Sequence, residues 1–371
     1  MIPYDITVSS QLILEPCVEV RIAPRASVTV AGTGSIVANG DETHHIVFTA
    51  NEPRTSFASL RTHSGGTLHL AYVDISSGGD PLNTLPALAA AVFSRGTDGS
   101  QPTQPTLFVD HVTVTGSRSS GILLRDGAGF APGSTALTIS SAAGWPVSTW
   151  ARAAGTLPDG SYLGNANDQI ILSDGDGAGS VLEDVTLRNL GLPYVVGTEL
   201  SHGGLRVTAA FGSTEVNTLT LEPGVTLLFR SGGILEVEHF TGDAPALGAL
   251  VAVGTPDQPV VLGSAEEAPA PGDWYGLRYG LVPSDLNALQ YARIEYAGIA
   301  QGILRTRCRP ATADYVDGAA LVIHGRPSTQ FMTNSTIFAS AGHGLARLWS
   351  GKKIDFTSTN VFEQVAGCDQ T

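Results

Sequence analysis

The sequence lacks any run of about 20 apolar residues, the length that a helix needs to cross a bilayer, so we expect no membrane span. Charged residues form only 15% of the chain, and Lys352 and Lys353 are its only lysines. A helical bundle rich in Glu and Lys is therefore excluded. The apolar residues also show no sustained 3.6-residue period, which argues further against helices.

Positive charge is scarce as well. The chain has 20 Lys and Arg residues against 34 Asp and Glu residues, and its formal net charge is −14. The electrostatic field of this negative charge repels phosphate backbones and anionic membranes, so we expect no nucleic-acid partner. It also makes the protein a poor general trap for polyanionic polysaccharides.

The chain has only three cysteines, Cys17, Cys308 and Cys368, and their spacing excludes a structural zinc site. Cys308 and Cys368 lie in turn-like sequence, so a disulfide between them in an oxidising compartment is one interpretation. Two unrelated free thiols are the other. Cys17 stands where a repeated segment has Gly224, and we expect it to be a buried thiol.

Glycine and proline, by contrast, are abundant, at 44 and 21 residues, which indicates very many turns. Between these turns, segments of the first half of the chain recur in the second half. The matched segments follow the same order in both halves, and the offset between matched positions grows slowly along the chain. The matching segments are LILEPCV at 12–18 with LTLEPGV at 219–225, GDETHHIVF at 40–48 with GTPDQPVVL at 254–262, YVDI at 72–75 with RIEY at 293–296, and VTV at 112–114 with STI at 335–337.

These matches predict two tandem copies of one module. We place the first module at 1–156, a bridging coil at 157–191 and the second module at 192–371. The second copy stops where the first continues with ALTISSAAG, so we expect it to be truncated.

Each copy is a series of short strands with an interrupted alternation. In TLHLAYVDI the apolar residues are Leu68 and Leu70, then Val73 and Ile75, and TLFVDHVTV has the same pattern. A slip of one residue changes the face to which side chains point, so the pattern indicates a strand, a bend and a second strand. Two-residue Asn-Gly or Asp-Gly hairpins are scarce, which disfavours a sandwich or an up-and-down barrel. The sequence therefore predicts an all-β, right-handed parallel β-helix.

Segments such as LTLEPGVTLLF, LQYARIEYAG and FMTNSTIFASAGHGL resemble the modules of bacterial secreted right-handed parallel β-helix proteins with a pectate-lyase-like fold. The resemblance covers nearly the whole chain. It implies an extracellular or cell-surface location. It does not imply a particular activity, because related folds occur in lyases, glycosidases, adhesins and stalks.

Two sets of residues are candidates for catalysis. The tripeptide Gly342-His343-Gly344 is similar to the GHG of polygalacturonase-type glycosidases, but the Asp residues that glycoside hydrolysis needs are not recognisable beside it. Asp110 and His111 are adjacent and could act as an acid–base pair. Both sets also have a purely structural interpretation: Gly342-His343-Gly344 as a turn, and Asp110 and His111 as a polar corner of the β-helix.

Three further sets are candidates for binding. Trp145 and Trp150 lie in a loop rich in Gly, Pro and Ser, and exposed indoles are good platforms for sugars. A second loop offers guanidinium groups for carboxylates, and an Asp-rich segment offers oxygen ligands that would suit calcium, although both patterns also fit solvated turns. These residues are Arg305, Arg307 and Arg309 in the loop, and Asp174, Asp176 and Asp184 in the segment.

Two functions remain open. The first is a structural or carbohydrate-contacting module of the cell surface or extracellular space, without a cofactor, whose partner is a glycan or another surface polymer. The alternative is a polysaccharide lyase or glycoside hydrolase of the parallel β-helix type, with calcium as one candidate metal. Duplication without a recognisable site in either copy favours the first.

Overall fold

The computed structural model describes residues 1–63, 65–81, 89–98, 102–173, 179–198, 203–238, 246–300 and 317–371. It divides into two compact units, Met1–Ile171 and Leu172–Thr371. In both units the regular structure is almost entirely β, and every pairing between the described strands is parallel. The prediction of an all-β parallel β-helix is confirmed. The module boundaries at 156 and 191 lie on either side of the division and stay a prediction.

Two sheets are described in the first unit. One pairs, in this order, β1 (Ile6–Val8), β4 (Ser27–Ala31), β7 (Ser59–His63), β9 (Ala90–Arg95), β11 (Ser120–Arg125) and β14 (Val147–Trp150). The other pairs β2 (Gln11–Leu14), β5 (Ser35–Asn39), β8 (Thr67–Ser76), β10 (Gln104–Thr115), β13 (Thr135–Ser140) and β15 (Gly160–Ser161). This second sheet also includes β3 (Glu19–Ile22), β6 (Ile46–Ala50) and β12 (Ala128–Phe130). A short 3-10 helix occupies Arg152–Thr156, and β16 (Ile170–Ser173) lies at the division between the units.

The described strands of the second unit form three sets. The first is β17 (Ser180–Val181), β20 (Gly204–Val207), β23 (Ile234–Val237), β26 (Gly276–Tyr279), β29 (Ala319–Ile323) and β32 (His343–Arg347). The second is β18 (Val185–Leu187), β21 (Asn217–Leu221), β24 (Gly248–Val253), β27 (Ala288–Gln290) and β30 (Met332–Thr333). The third is β19 (Tyr194–Val196), β22 (Thr226–Phe229), β25 (Val260–Ser264), β28 (Ala292–Glu295), β31 (Thr336–Phe338) and β33 (Val361–Glu363).

One turn of the β-helix, here called a coil, thus contributes one strand to each of three walls. In the first unit two of these walls are joined by strands that bend: β8 pairs with β5 through its first half and with β6 through its second half. The bends fall at Tyr72 and His111, whose φ angles of 50° and 53° are left-handed. In the second unit Tyr291 and Asn334 have φ angles of 47° and 50° at the equivalent bends. The interruption of the apolar alternation therefore marks a real corner.

The two units also share their strand order. The pairing β2-β5-β8-β10 of the first unit corresponds to β21-β24-β27-β30 of the second, and β4-β7-β9-β11 corresponds to β23-β26-β29-β32. Cys17 and Gly224 occupy the same left-handed turn, with φ angles of 66° and 81°. Cys17 is nevertheless exposed, so the expectation that it is a buried thiol is wrong. The turn faces solvent, and glycine suits it because it has no Cβ to strain the backbone.

The core is apolar and lies inside the walls. Val114 and Ile337, which are matched in the repeat, are both buried. The repeat also matches Val47 with Val261 and predicts that both face inward, but both are only half-buried, because the alternation there runs one residue out of that phase. The inward side chains at those strands are instead Ile46, Phe48, Val260 and Leu262. In the described residues, no helix is long and apolar enough to span a bilayer.

Truncation of an inward side chain should destabilise the coil stack. We expect Ile75→Ala, at a fully buried position, to lower the free energy of unfolding by about 2–5 kcal/mol, since it removes apolar contacts and leaves a cavity. Ile13→Ala is the matched control, because Ile13 is 57% exposed and should change stability by about 0.5 kcal/mol or less. Urea unfolding of the two variants checks this, and equal losses would contradict the assignment of the inward face.

Candidate functional site

The clearest group of solvent-accessible, chemically active side chains lies at the corner of the first unit, where one member is exposed and four are half-buried. Its members are His45, Tyr72, Asp74, Asp110 and His111, here called the histidine corner. Residues Ala71 and Val73 of β8 pair with Asp110 and Val112 of β10, so Tyr72 and His111 stand opposite each other at the bend. Their rings stack with centroids 4.7 Å apart and planes 4° apart.

Two carboxylates hold the imidazoles of this corner. Asp110 Oδ1 lies 2.7 Å from His111 Nδ1, and Asp74 Oδ2 lies 2.9 Å from His45 Nδ1. A carboxylate only accepts hydrogen bonds, so each Nδ1 carries the proton and donates it. The lone pair of each neutral ring is therefore on Nε2. The His45 ring lies 5.8 Å from that of Tyr72, which links both pairs into one chain of contacts.

A tight turn beside the corner presents a third pair of this kind. His44 Nδ1 lies 3.0 Å from Asp41 Oδ1, and Thr43 donates both its hydroxyl and its backbone N–H to the same oxygen. These hydrogen bonds, led by that of the Thr43 hydroxyl, lower the pKa of Asp41 to about 2. Asp41 therefore stays ionised in all but strongly acidic solution, and whatever stability it contributes is lost only as the pH falls towards 2.

Hydroxyl groups continue the site along the neighbouring wall. The parallel register places Asp74, Thr113 and Thr138 in one column and Ser76, Thr115 and Ser140 in a second. All of these side chains are half-buried, and Ser76 donates to Thr49 Oγ1 at 2.9 Å. Strands in one sheet are about 4.8 Å apart, so the columns repeat at that interval.

In the part of the chain that the structure describes, no three His, Cys, Asp or Glu side chains are grouped so that they could hold a metal ion. Of the three predicted calcium ligands, only Asp184 is described. Its Oδ1 accepts the Thr218 backbone N–H at 2.8 Å, so it anchors the start of β21. Asp174 and Asp176 lie outside the described residues, and calcium stays a prediction.

His343, the first catalytic candidate, is wholly buried at the start of β32. Its Nδ1 accepts the Cys368 backbone N–H at 2.9 Å, which requires a neutral ring with its proton on Nε2. An acid or base must reach its substrate, and this side chain has no access to solvent. His343 thus packs in the core of the second unit, and its catalytic role stays a prediction. Asp110 and His111, the second candidate, are half-buried and exposed, respectively, and are hydrogen-bonded to each other.

The two indoles differ in their surroundings. Trp150 belongs to β14, is only 8% exposed and lies 5.3 Å from the Arg152 guanidinium, and its role as a binding residue stays a prediction. Tryptophan is drawn into the core by its large apolar area. Trp145 is half-buried. The predicted binding residues Arg305, Arg307 and Arg309 lie outside the described residues.

The cysteine prediction can be followed only in part. Cys368 is in a disulfide bond, and Cys17 is a free thiol. Cys308, the predicted partner of Cys368, lies outside the described residues.

Sequence reasoning identified Asp110 and His111 but missed His45, Tyr72 and Asp74. The missing signal was present in the segments YVD and DHV, whose apolar alternation breaks at the same place. Aligning these breaks would have placed Tyr72 on His111. The pairing of His45 with Asp74 had no such signal, because it joins a turn of one coil to a strand of the next.

Comparison of the chain with family models, with curated proteins and with solved structures found no match.

Removal of the His343 side chain should act on stability. We expect His343→Ala to lower the free energy of unfolding by about 2–5 kcal/mol, because it creates a cavity and removes the acceptor of the half-buried Cys368 N–H. The exposed His111→Ala should change it by about 0.5 kcal/mol or less. Thermal and urea unfolding measure both, and a fully stable His343→Ala protein would contradict this assignment.

Proposed function

We propose that the chain is a non-catalytic β-helix module of the cell surface or extracellular space that binds a neutral glycan at the histidine corner. The observation that carries this proposal is the continuous chain of contacts from Asp74 through His45, Tyr72 and His111 to Asp110. These side chains come from three successive coils and all reach the surface.

The hydrogen-bonding character of the corner suits hydroxyl groups. The Nε2 lone pairs of His45 and His111 and the free lone pairs of the two carboxylates are acceptors, and a sugar hydroxyl is a donor. The columns of Thr and Ser beside them can donate as well as accept. Parallel coils hold all of these groups at a fixed interval, which favours an extended chain of repeating units over a compact metabolite.

The charge of the protein favours a neutral ligand. The net charge is −14, and Asp41, Asp74 and Asp110 all lie at or beside the corner. A polyanion would meet this field at close range, whereas a neutral glycan would not.

The alternative of a lyase or glycosidase has less support. His343 is enclosed in the core, and the described residues contain no cluster suited to a metal ion. The acid–base pair Asp110–His111 is the catalytic candidate that reaches the surface, and its turnover is tested in the experiment below.

We expect the double variant Tyr72→Ala/His111→Ala to lose binding of neutral glycans. The probes are dextran, a soluble β-glucan and a galactomannan, titrated by calorimetry, with polygalacturonate as the acidic probe. At least one neutral probe should bind to the wild type, and the dissociation constant should rise about tenfold or more in the variant, equivalent to about 1.4 kcal/mol. The loss of binding in the variant should be smaller for the acidic probe than for the neutral one, because the acidic residues at the corner disfavour an anion.

The matched control is Tyr296→Ala/Phe338→Ala, which removes a half-buried ring pair 5.6 Å apart in the second unit. It should leave binding unchanged. Equal losses in both double variants, or unchanged binding in the first, would refute the site. Release of new chain ends by the wild type that is abolished in Asp110→Asn would replace the proposal by the enzymatic alternative.

A further inference from the structure

A second chemically distinct surface lies on a wall of the second unit. The parallel register places Ser180, Arg206, Glu236 and Arg278 in one outward column over four successive coils. Arg206 donates through Nε and Nη2 to Glu236 Oε2, at 2.9 Å and 2.8 Å, and Arg278 Nη1 lies 3.4 Å from Glu236 Oε1. The column therefore combines two positive charges with one negative charge, in a chain whose net charge is −14.

A cavity of about 240 Å³ opens beside this column, lined among others by Ser180, Gly204, Arg206, Ile234 and Glu236. Gly204, which has no side chain, is part of this lining. Among the described residues, a Cβ built at Gly204 would meet only Ile234 Cγ2, at 3.8 Å, and the backbone there is not left-handed. The described surroundings of Gly204 therefore leave room for a larger side chain.

Hydrogen-bond donors remain available in the cavity. Arg206 is 41% exposed, and within the described residues no acceptor contacts its Nη1. The Ser180 hydroxyl, in the same lining, likewise has no partner among them. A guanidinium group with one edge held by Glu236 thus presents its other donors to the cavity.

The equivalent column of the first unit is different. There Thr29 takes the place of Glu236 and Arg61 that of Arg278, as the strand orders β4-β7 and β23-β26 require. Arg61 lies 5.9 Å from the Phe93 ring. The coil therefore tolerates other residues at these positions, and the Arg-Glu-Arg column is a property of the second unit alone.

We propose that this cavity binds the carboxylate group of a small ligand through Arg206 and Ser180. Guanidinium donors match the two oxygens of a carboxylate. The Glu236 carboxylate lies 2.8 Å from Arg206 Nη2 and would repel a dianion such as phosphate more strongly than a singly charged carboxylate. A free organic acid and an acidic residue of a larger molecule present the same group.

The test is a calorimetric titration of the full chain with acetate, glucuronate, inorganic phosphate and glucose as probes. Acetate and glucuronate should bind saturably, phosphate more weakly, and glucose not at all. Polygalacturonate in a separate arm distinguishes a polymer-borne carboxylate from a free acid.

Gly204→Leu, which fills the cavity, and Arg206→Gln, which removes guanidinium donors, should each weaken glucuronate binding about tenfold or more. For Arg206→Gln this is the effect expected from loss of a hydrogen bond to a charged group. Arg293→Gln is the matched control, because Arg293 forms an outward ion pair with Glu295 in the same unit and should not affect binding. Circular dichroism before titration shows whether each variant is folded.

Binding of glucuronate that survives both Gly204→Leu and Arg206→Gln would overturn the proposal. Binding of phosphate that is tighter than that of glucuronate, or binding of glucose that equals it, would also overturn the proposal. A wild type that binds none of the carboxylates would also overturn it. The site is independent of the histidine corner, so Tyr72→Ala/His111→Ala should leave glucuronate binding unchanged.

Discussion

The parallel register between successive coils is the constraint on which the rest of this structure depends. Each strand satisfies its backbone hydrogen bonds with the strands of the coils before and after it, so a residue at one position in a coil must stand directly over its counterpart. Inward positions therefore become continuous apolar columns, such as that of Leu68 and Leu107. Outward positions also form columns, whichever residue types occupy them.

The candidate sites follow from that rule. No strand brings a complete set of functional groups, and each coil contributes one or two side chains to a column. The stack of Tyr72 on His111, the rows of Thr and Ser, and the sequence Arg206, Glu236, Arg278 are all columns of this kind. Because only inward positions must stay apolar, the outward columns of the two units have diverged while their strand orders agree.

The bends between walls also place functional side chains at the surface. At Tyr72 and His111 the backbone is left-handed, which non-glycine residues seldom adopt and which costs on the order of 1 kcal/mol each. The same conformation turns these side chains out of the walls, where their rings stack and the Asp110 carboxylate holds the His111 imidazole. Asn334 and Tyr291 hold the equivalent corners of the second unit without an imidazole, so the fold needs the bend but not the histidine.

The sequence by itself determined the fold class, the repeat and the position of the corners. Alternation of apolar residues reports which face of a strand is buried, and its interruption at Tyr72 and His111 reports a bend. These are local patterns, and each can be read within one strand. The phase at Val47 was misjudged because the apolar run from Ile46 to Phe48 contains no polar residue to mark the outward position.

Only the tertiary structure decided which side chains share a surface. His45 meets Asp74, and Arg206 meets Glu236, across about 30 residues of sequence. Such contacts depend on the number of residues in the turns of each coil. Turn lengths vary from coil to coil, and no apolar pattern in the sequence reveals them. Burial of Trp150 and His343 was likewise a matter of stacking, because an aromatic residue in a turn-rich segment can pack inward as readily as it can face solvent.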